Sequence, residues 1–410
     1  MCAPRLSIVL ATHDRAKVLT HTLERLAALA LDPHEVETIV VDNASRDDVG
    51  AVVRSYPGAR LLRLARNAGS CAKTFGVDVA RAPVVLFLDD DSYPRPGSIQ
   101  RMLARFVDQP RLGAAGFIVH LPGGGQECSA LPHVFVGCGV GLRTAAMRAV
   151  GGLDTSFFMQ AEEYDLSFRL LQAGWKVEIC GDLAVEHLKS PQARRCQRAA
   201  YLDVVNNLRV LARYLPQPHY AIYRADWQAR YRRLAQVRRH HAAFHRGRWV
   251  GRWRGRLERP RYRRWRLAPP VLERIFTWSY IESRMAGLKS AGVRRVVFAD
   301  WGKNIYAFYR AARQVGVEVL AVADDLYAAA TAGGMLSAAW YRDVPLTSVS
   351  AALTLPADAW VISNTSYVHA AQRAPRLARR VTVPVHNWFL PPAAPGPQPG
   401  RLGVESMVSC

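Results

Sequence analysis

Val84-Val85-Leu86-Phe87-Leu88-Asp89-Asp90-Asp91-Ser92 carries five apolar residues straight into three carboxylates. A short apolar run rich in β-branched residues reads as a strand buried on both faces. Similar runs lie on either side of it. Leu6 to Leu10 and Val36 to Val41 are strand-sized, and Arg60 to Leu64 is a weaker third. Between the first two, Leu19, Leu23, Leu26 and Leu29 recur at helical spacing within Val18 to Leu29. Buried strands alternating with helices predict an α/β fold built on a mostly parallel sheet. In such sheets ligands bind beyond the carboxyl ends of the strands. Thr12, Asp42 and Asp89 to Asp91 stand at those ends.

The chain has 410 residues, half of them apolar and 21% charged, which is a globular composition with room for more than one core. The longest apolar runs, Pro83 to Leu88 and Val293 to Ala299, are far short of the roughly 20 residues that span a bilayer. Met1 to Ile8 lacks the basic and then apolar pattern of a signal peptide. Cys2, Cys71, Cys128, Cys138, Cys180, Cys196 and Cys410 are scattered and odd in number, which implies reduced thiols and a cytoplasmic setting. Apart from an arginine-rich stretch, neither an internal repeat nor a low-complexity tract is expected.

The acidic triplet has two readings. Adjacent carboxylates repel unless a cation or solvent relieves them, and a hard divalent ion such as Mg²⁺ or Mn²⁺ shared with a phosphate would do so. The same triplet also fits a solvated turn with capping aspartates. A second cluster, Glu162, Glu163 and Asp165, opens an amphipathic helix after the Gly151-Gly152 turn. Acids there complement the helix dipole, yet a carboxylate at a helix start is also well placed as a general base. His187 follows a strand-like run and reads either as a satisfied core histidine or as a metal ligand.

The ordered set LSIVLATHDR, IVVDNASRDD, RNAGSCAKTFG, VLFLDDDS, VGGLDTSFFMQAEEYDLSFRLLQAGWKV and then His187 resembles family 2 glycosyltransferases of the GT-A fold, especially the rhamnosyltransferase-like branch. The resemblance covers residues 5–215. It implies an inverting, metal-dependent transferase that moves a sugar from dTDP-rhamnose or a UDP-sugar to a glycan or lipid-linked acceptor. By the same resemblance Thr12 and Asp42 line the base pocket, and Asn67, Gly69 and Lys73 close over base and ribose. Asp89 and Asp91 match the two acids of the D-x-D motif, with Asp90 between them on the substrate. Asp91 is the expected metal ligand, with Asp89 on the ribose or the metal, and His187 completing the site. Glu163, with Glu162 beside it, stands at the catalytic base. Lys73 and Glu163 depart from the family's usual Arg and Asp. A non-catalytic nucleotide-sugar-binding regulator is the alternative.

The net charge of +22 is concentrated. Tyr220 to Arg266 holds sixteen arginines against Asp226 and Glu258. Residues 216–285 are therefore read as a basic helical linker, with an apolar stripe of Tyr223, Trp227, Tyr231, Leu234 and Val237. Arginines interleaved with Trp249, Trp253 and Trp265 fit a solvated linker or peripheral contact with anionic lipid at the inner membrane face. Nucleic acid is the least favoured partner. Residues 286–395 restart a strand–helix–strand pattern as a second, Rossmann-like unit, and 396–410 form a loose tail. In that unit only Gly302 remains of a glycine fingerprint, with Asp324 placed where a ribose-binding acid could lie. A structural, regulatory or docking role is expected there.

Overall fold

The computed structural model describes residues 3–189, 196–328 and 344–392. Its first sheet contains β1 (Leu6–Thr12), β2 (Val36–Asp42), β3 (Ala59–Arg63), β4 (Val84–Asp89), β5 (Ser92–Pro94), β6 (Leu112–His120), β7 (Gln126–Glu127), β8 (Gly139–Arg143) and β9 (Lys176–His187). The order is β3-β2-β1-β4-β8-β6-β9-β5, with β7 paired to β6. The first four of these pair in parallel, so β1, β2 and β4 finish side by side at Thr12, Asp42 and Asp89.

Alternate strand residues feed two cores. Leu6, Ile8, Leu10, Leu86 and Leu88 face one side, under α1 (Ala16–Ala27), α2 (Val49–Arg54) and α4 (Ser98–Asp108). Val9, Ile39, Val41, Val85 and Phe87 face the other, under α3 (Lys73–Val79), α5 (Thr144–Val150) and α6 (Glu162–Gln172). This is the two-sided burial that the continuous apolar runs imply.

The sheet is less uniformly parallel than expected. β8 runs antiparallel between β4 and β6, and β5 runs antiparallel to β9. The sequence pattern does not predict β8, because glycine gives no strand signal. Gly139 and Gly141 are nevertheless required, since a Cβ would meet a Val185 methyl at 2.5 Å and Met102 Sδ at 2.3 Å.

Three long helices follow: α7 (Gln197–Tyr214), α8 (His219–Arg238) and α9 (His241–Arg261). Pro216 and Pro218 separate α7 from α8 as expected, whereas Pro269 and Pro270 begin a helix (Pro269–Phe276) instead of breaking one. Tyr223, Trp227 and Tyr231 of the apolar stripe are buried, while Leu234 and Val237 are only partly covered.

The expectation of no internal repeat is corrected here. Gly247-Arg248-Trp249-Val250, Gly251-Arg252-Trp253-Arg254 and Gly255-Arg256-Leu257-Glu258 form three tandem tetrads in α9. Every first position is buried against α7. A Cβ on Gly251 would lie 3.0 Å from the Val205 carbonyl oxygen, and one on Gly255 2.8 Å from Ala212 Cβ. The glycines let two backbones approach closely and fix which face of α9 points outward.

The second sheet joins β10 (Arg295–Phe298), β11 (Glu318–Ala323), β12 (Leu346–Thr347), β13 (Ala359–Val361) and β14 (Val385–His386), all parallel, in the order β12-β11-β10-β13-β14. The order reverses between β10 and β13, as in doubly wound α/β sheets. The turn after β10 is packed with protein. Trp301 is buried with its indole N–H donating to Asp226, 3.0 Å away, and a Cβ on Gly302 would sit 2.7 Å from the Ser363 carbonyl oxygen. Asp324 accepts the Trp301 backbone N–H at 3.0 Å. One hydrophobic cluster runs from Val9 to Phe389 through both sheets and the helices between them. The expected tail, 396–410, lies outside the described residues.

Candidate active site

At the carboxyl ends of β1, β2 and β4 opens a cavity of about 460 Å³. It is lined by Thr12, Asn67, Gly69, Lys73, Asp89, Asp90, Asp91, Glu162, Glu163 and His187. Of the residues that the resemblance assigns to the site, Asp42 is missing from this wall, and Asp165 of the second acidic cluster is buried away from it. The Asp42 carboxylate turns to the Ser45 backbone N–H at 2.9 Å and to Arg63 at 3.3 Å, and Asn43 lines the cavity instead. Asp42 sits one residue short because the strand's last side chain is tied into the following turn.

The three aspartates diverge in environment. Asp90 is buried, accepts from Thr12 Oγ1 at 2.7 Å and pairs with Arg15 Nη1 at 2.7 Å. Burial, reinforced by its acidic neighbours and only partly offset by Arg15 and Thr12, raises its pKa to about 7. Asp90 therefore braces β1 against β4. Asp91 pairs with Arg15 Nη2 at 2.8 Å and His187 Nε2 at 3.3 Å. Burial opposes its charge, but the bonds from His187 and Arg15 prevail and hold its pKa down to about 2. Asp89 is bonded by the buried Lys73 ammonium, which also donates to the Gly137 carbonyl at 2.9 Å.

His187 Nε2 lies 4.0 Å from Asp89, and Nδ1 lies 3.5 Å from both Cys138 Sγ and Glu127. Burial disfavours its imidazolium, yet Asp91, Cys138 and Glu127 raise its pKa to about 12. Ligand atoms of Asp89, Cys138 and His187 lie within 4.8 Å of one another, close enough to share one ion. Burial pushes the Cys138 thiol up. Arg15, Asn43, Glu127 and Cys138 were not singled out in the sequence. Arg15 could have been, since the three carboxylates need a cation and it follows β1 directly.

The opposite wall is a strained loop. Phe158, Gln160 and Ala161 all have positive φ (64°, 71° and 67°), costing about 1–2 kcal/mol each. Asn206 of α7 holds this loop, its Nδ2 donating to the carbonyls of Phe157, Met159 and Gln160 at 2.9, 2.8 and 3.0 Å. Gly69 abuts it so closely that a Cβ would overlap the Phe158 carbonyl. The loop delivers Glu162 and Glu163 at the start of α6. Asn206→Ala is expected to lower turnover about tenfold to a hundredfold while the chain still folds. Steady-state kinetics beside a far-UV spectrum would check this, and unchanged kcat would refute it.

Glu162 is buried and bonded by Ser70 Oγ, and its Oε2 has no hydrogen-bond partner among the described residues. Burial first, and then the charge of Glu163, raise its pKa well above the ordinary glutamate range. Glu163 is half-buried at the cavity wall, its side chain beside Gly137. Neighbouring carboxylates with unequal surroundings divide the proton unequally. Glu162 keeps it.

Residues 7–147 match the family model "Glycosyl transferase family 2". The chain is 34% identical over 105 residues to the succinoglycan biosynthesis protein ExoO of Rhizobium meliloti (strain 1021), covering 25% of this chain and 30% of that protein. It is 28% identical over 232 residues to the N-acetylglucosaminyl-diphospho-decaprenol L-rhamnosyltransferase of Mycobacterium tuberculosis (strain CDC 1551 / Oshkosh), covering 42% of this chain and 74% of that one. The first curated relatives are spanned over only 23% to 37% of their length. Among solved structures, a mannosyltransferase from Pyrobaculum calidifontis aligns at TM-score 0.44 and 13% identity, over 77% of this chain and 88% of that one, too remote to bear on chemistry. The likeness to glycosyl transferase family 2 thus lies in residues 7–147, the segment that holds β1 to β8 and the acidic triplet.

Proposed function

We propose that this chain is an inverting glycosyltransferase that moves a sugar from a nucleotide-sugar, dTDP-rhamnose or a UDP-sugar, to a hydroxyl of a glycan or lipid-linked acceptor in surface polysaccharide synthesis. One observation carries the reading: Asp91 and Glu163, from segments far apart in sequence, line the same cavity. Residues 5–215 bear the chemistry, 216–285 the basic helical module and 286–395 a supporting α/β unit.

The carboxylate and imidazole donors of Asp89, Asp91 and His187 fit a divalent cation, Mg²⁺ or Mn²⁺, with the imidazole favouring Mn²⁺. Such an ion would supply charge stabilisation for a departing nucleoside diphosphate. His187 must give up its proton to ligate, so cation binding releases a proton and weakens in acid.

The chain's own groups do the rest. Thr12, Asn43, Asn67 and Lys73, which line the cavity, would hold the base and ribose. Glu163 takes the proton from the acceptor hydroxyl as that oxygen attacks the anomeric carbon. A single displacement needs only this one base, and protonated Glu162 holds the floor beneath it. The reading is supported by the packing of Trp301 and Gly302, which favours a structural role for the second α/β unit over dinucleotide binding.

A thermal-shift screen of nucleotide-sugars with Mn²⁺ would find the donor, because a bound ligand raises the melting temperature by mass action. The donor so found should be hydrolysed slowly without acceptor, and Asp91→Ala should abolish that hydrolysis. A donor that binds with neither hydrolysis nor transfer would instead make the chain a nucleotide-sugar-binding regulator.

A further inference from the structure

The three tetrads of α9 build three parallel ridges. Gly247, Gly251 and Gly255 form the buried one, packed on α7. Arg248, Arg252 and Arg256 form the second, and Trp249, Trp253 and Leu257 the third. Residues four apart stack into a slightly inclined row along a helix, so each ridge is continuous. The third ridge projects outward, with Trp249, Trp253 and Leu257 exposed at 69%, 53% and 48%. Large apolar side chains in a row at this exposure are unusual on a soluble surface. Beside them the arginines border a shallow groove of about 560 Å³, whose other wall is Tyr220 and Arg224 of α8 and whose end is Arg259. Among the described residues, no acidic one lines it.

We infer that this outer face of α9 is a docking surface for a bilayer bearing anionic lipid, with the tryptophans in the headgroup region and the arginines on lipid phosphates. Charge decides that the partner carries phosphate or another anion. Shape decides that it is a membrane surface rather than a nucleic acid strand. The Trp249 and Trp253 rings lie parallel to each other, 5° apart in plane with centroids at 6.4 Å, as adjacent members of one row. Leu257 extends the row with an aliphatic group that cannot stack. A straight apolar ridge flanked by arginines suits a planar boundary between water and hydrocarbon. The location is apt as well. α9 runs alongside α7, and Arg198 near the start of α7 lines the candidate active-site cavity. The ridge opposite Leu208 thus lies about 15 Å along that helix from the cavity mouth. A docked chain would meet acceptors held at a membrane without any membrane-spanning helix, and none of the described helices is long and apolar enough to be one.

The inference needs no donor and stands apart from the transferase reading. The test is flotation of the full chain with vesicles of phosphatidylcholine, with and without phosphatidylglycerol. Binding is expected only to the anionic vesicles, and to fall as salt rises. Arg248→Gln/Arg252→Gln/Arg256→Gln should weaken it roughly a hundredfold. Trp249→Ala/Trp253→Ala should weaken it too, while Arg→Lys at the same three positions should retain it. These side chains lie off the α7 interface, so melting temperature and donor binding should stay unchanged and separate lost docking from lost folding. Equal binding to neutral vesicles, or anionic binding indifferent to both variants, would overturn the inference. So would failure to bind vesicles combined with salt-sensitive binding to a single-stranded oligonucleotide.

Discussion

Glu163→Gln should cut sugar transfer about a thousandfold, whereas Glu162→Gln should leave most of it. The two carboxylates are chain neighbours but not equivalent. Glu162 is buried against Ser70 with one oxygen unpartnered, and it holds a proton that an amide can replace in shape and charge. Glu163 opens on the cavity and loses its only basic lone pairs when converted to an amide. Measuring kcat at saturating donor and acceptor separates them, and equal losses would defeat the assignment. A second readout comes from stability. The folded state raises the pKa of Glu162 by burial and by the charge of Glu163. Between the ordinary glutamate pKa and that raised value, the folded chain binds a proton that the unfolded chain has released. Stability must therefore fall as pH rises through this window. Glu162→Gln has no proton to lose there, so melting curves of variant and parent should diverge with pH, the variant gaining relative stability toward the alkaline side.

The largest expected loss of stability belongs to Asp165→Asn, about 3–5 kcal/mol, or a fall in melting temperature of about 5 °C. Asp165 is fully buried, pairing with Arg169 at 3.0 Å and Arg213 at 2.8 Å and accepting the Tyr214 hydroxyl. Arg213 also reaches Asp154 at 2.8 Å and Glu258 at 2.7 Å, and Arg209 pairs with Glu258 at 2.8 Å. These ions join α6, α7 and α9 beneath the candidate site. Neutralising the central carboxylate leaves Arg169 buried with no ion-pair partner of its own in this network. The cost is the desolvation of a stranded charge more than the loss of any single bond. Unfolding in urea would measure it, and a loss below about 1 kcal/mol would show that water or rearrangement relieves the network.

Much of this arrangement was legible because the residues concerned speak locally. The apolar runs of β1, β2 and β4 and the acids behind them announced both sheet and cavity. The strand–helix–strand restart of the second unit is present as β10, the helix Ile305–Val315 and β11. What stayed hidden depends on contacts between distant segments. The antiparallel β8 is written in glycines, whose role appears only when Met102 and Val185 are seen beside them. Arg15 reads as a loop cation until Asp90 and Asp91 arrive next to it. Asn206 is one polar residue in a long helix, and nothing nearby in sequence tells that it grips a loop some fifty positions earlier. The tetrads of α9 are written locally, but arginines at the second position of every tetrad, and between them, mask the four-residue period with charge.

Asn207, next to Asn206, accepts the ammonium of Lys303 at 2.8 Å, and that ammonium lies 4.7 Å from the ring centres of both Tyr164 and Trp227. Trp227 donates in turn to the Lys303 carbonyl at 2.7 Å, and Tyr223 to Asn304 at 2.8 Å. The C-terminal unit is thus a keystone, not a pendant. A chain cut before residue 286 would bare the aromatic flank of α8 to water and invite clumping. Swapping that unit for another would demand matching changes in α7, the helix that holds the loop at Phe157 to Gln160.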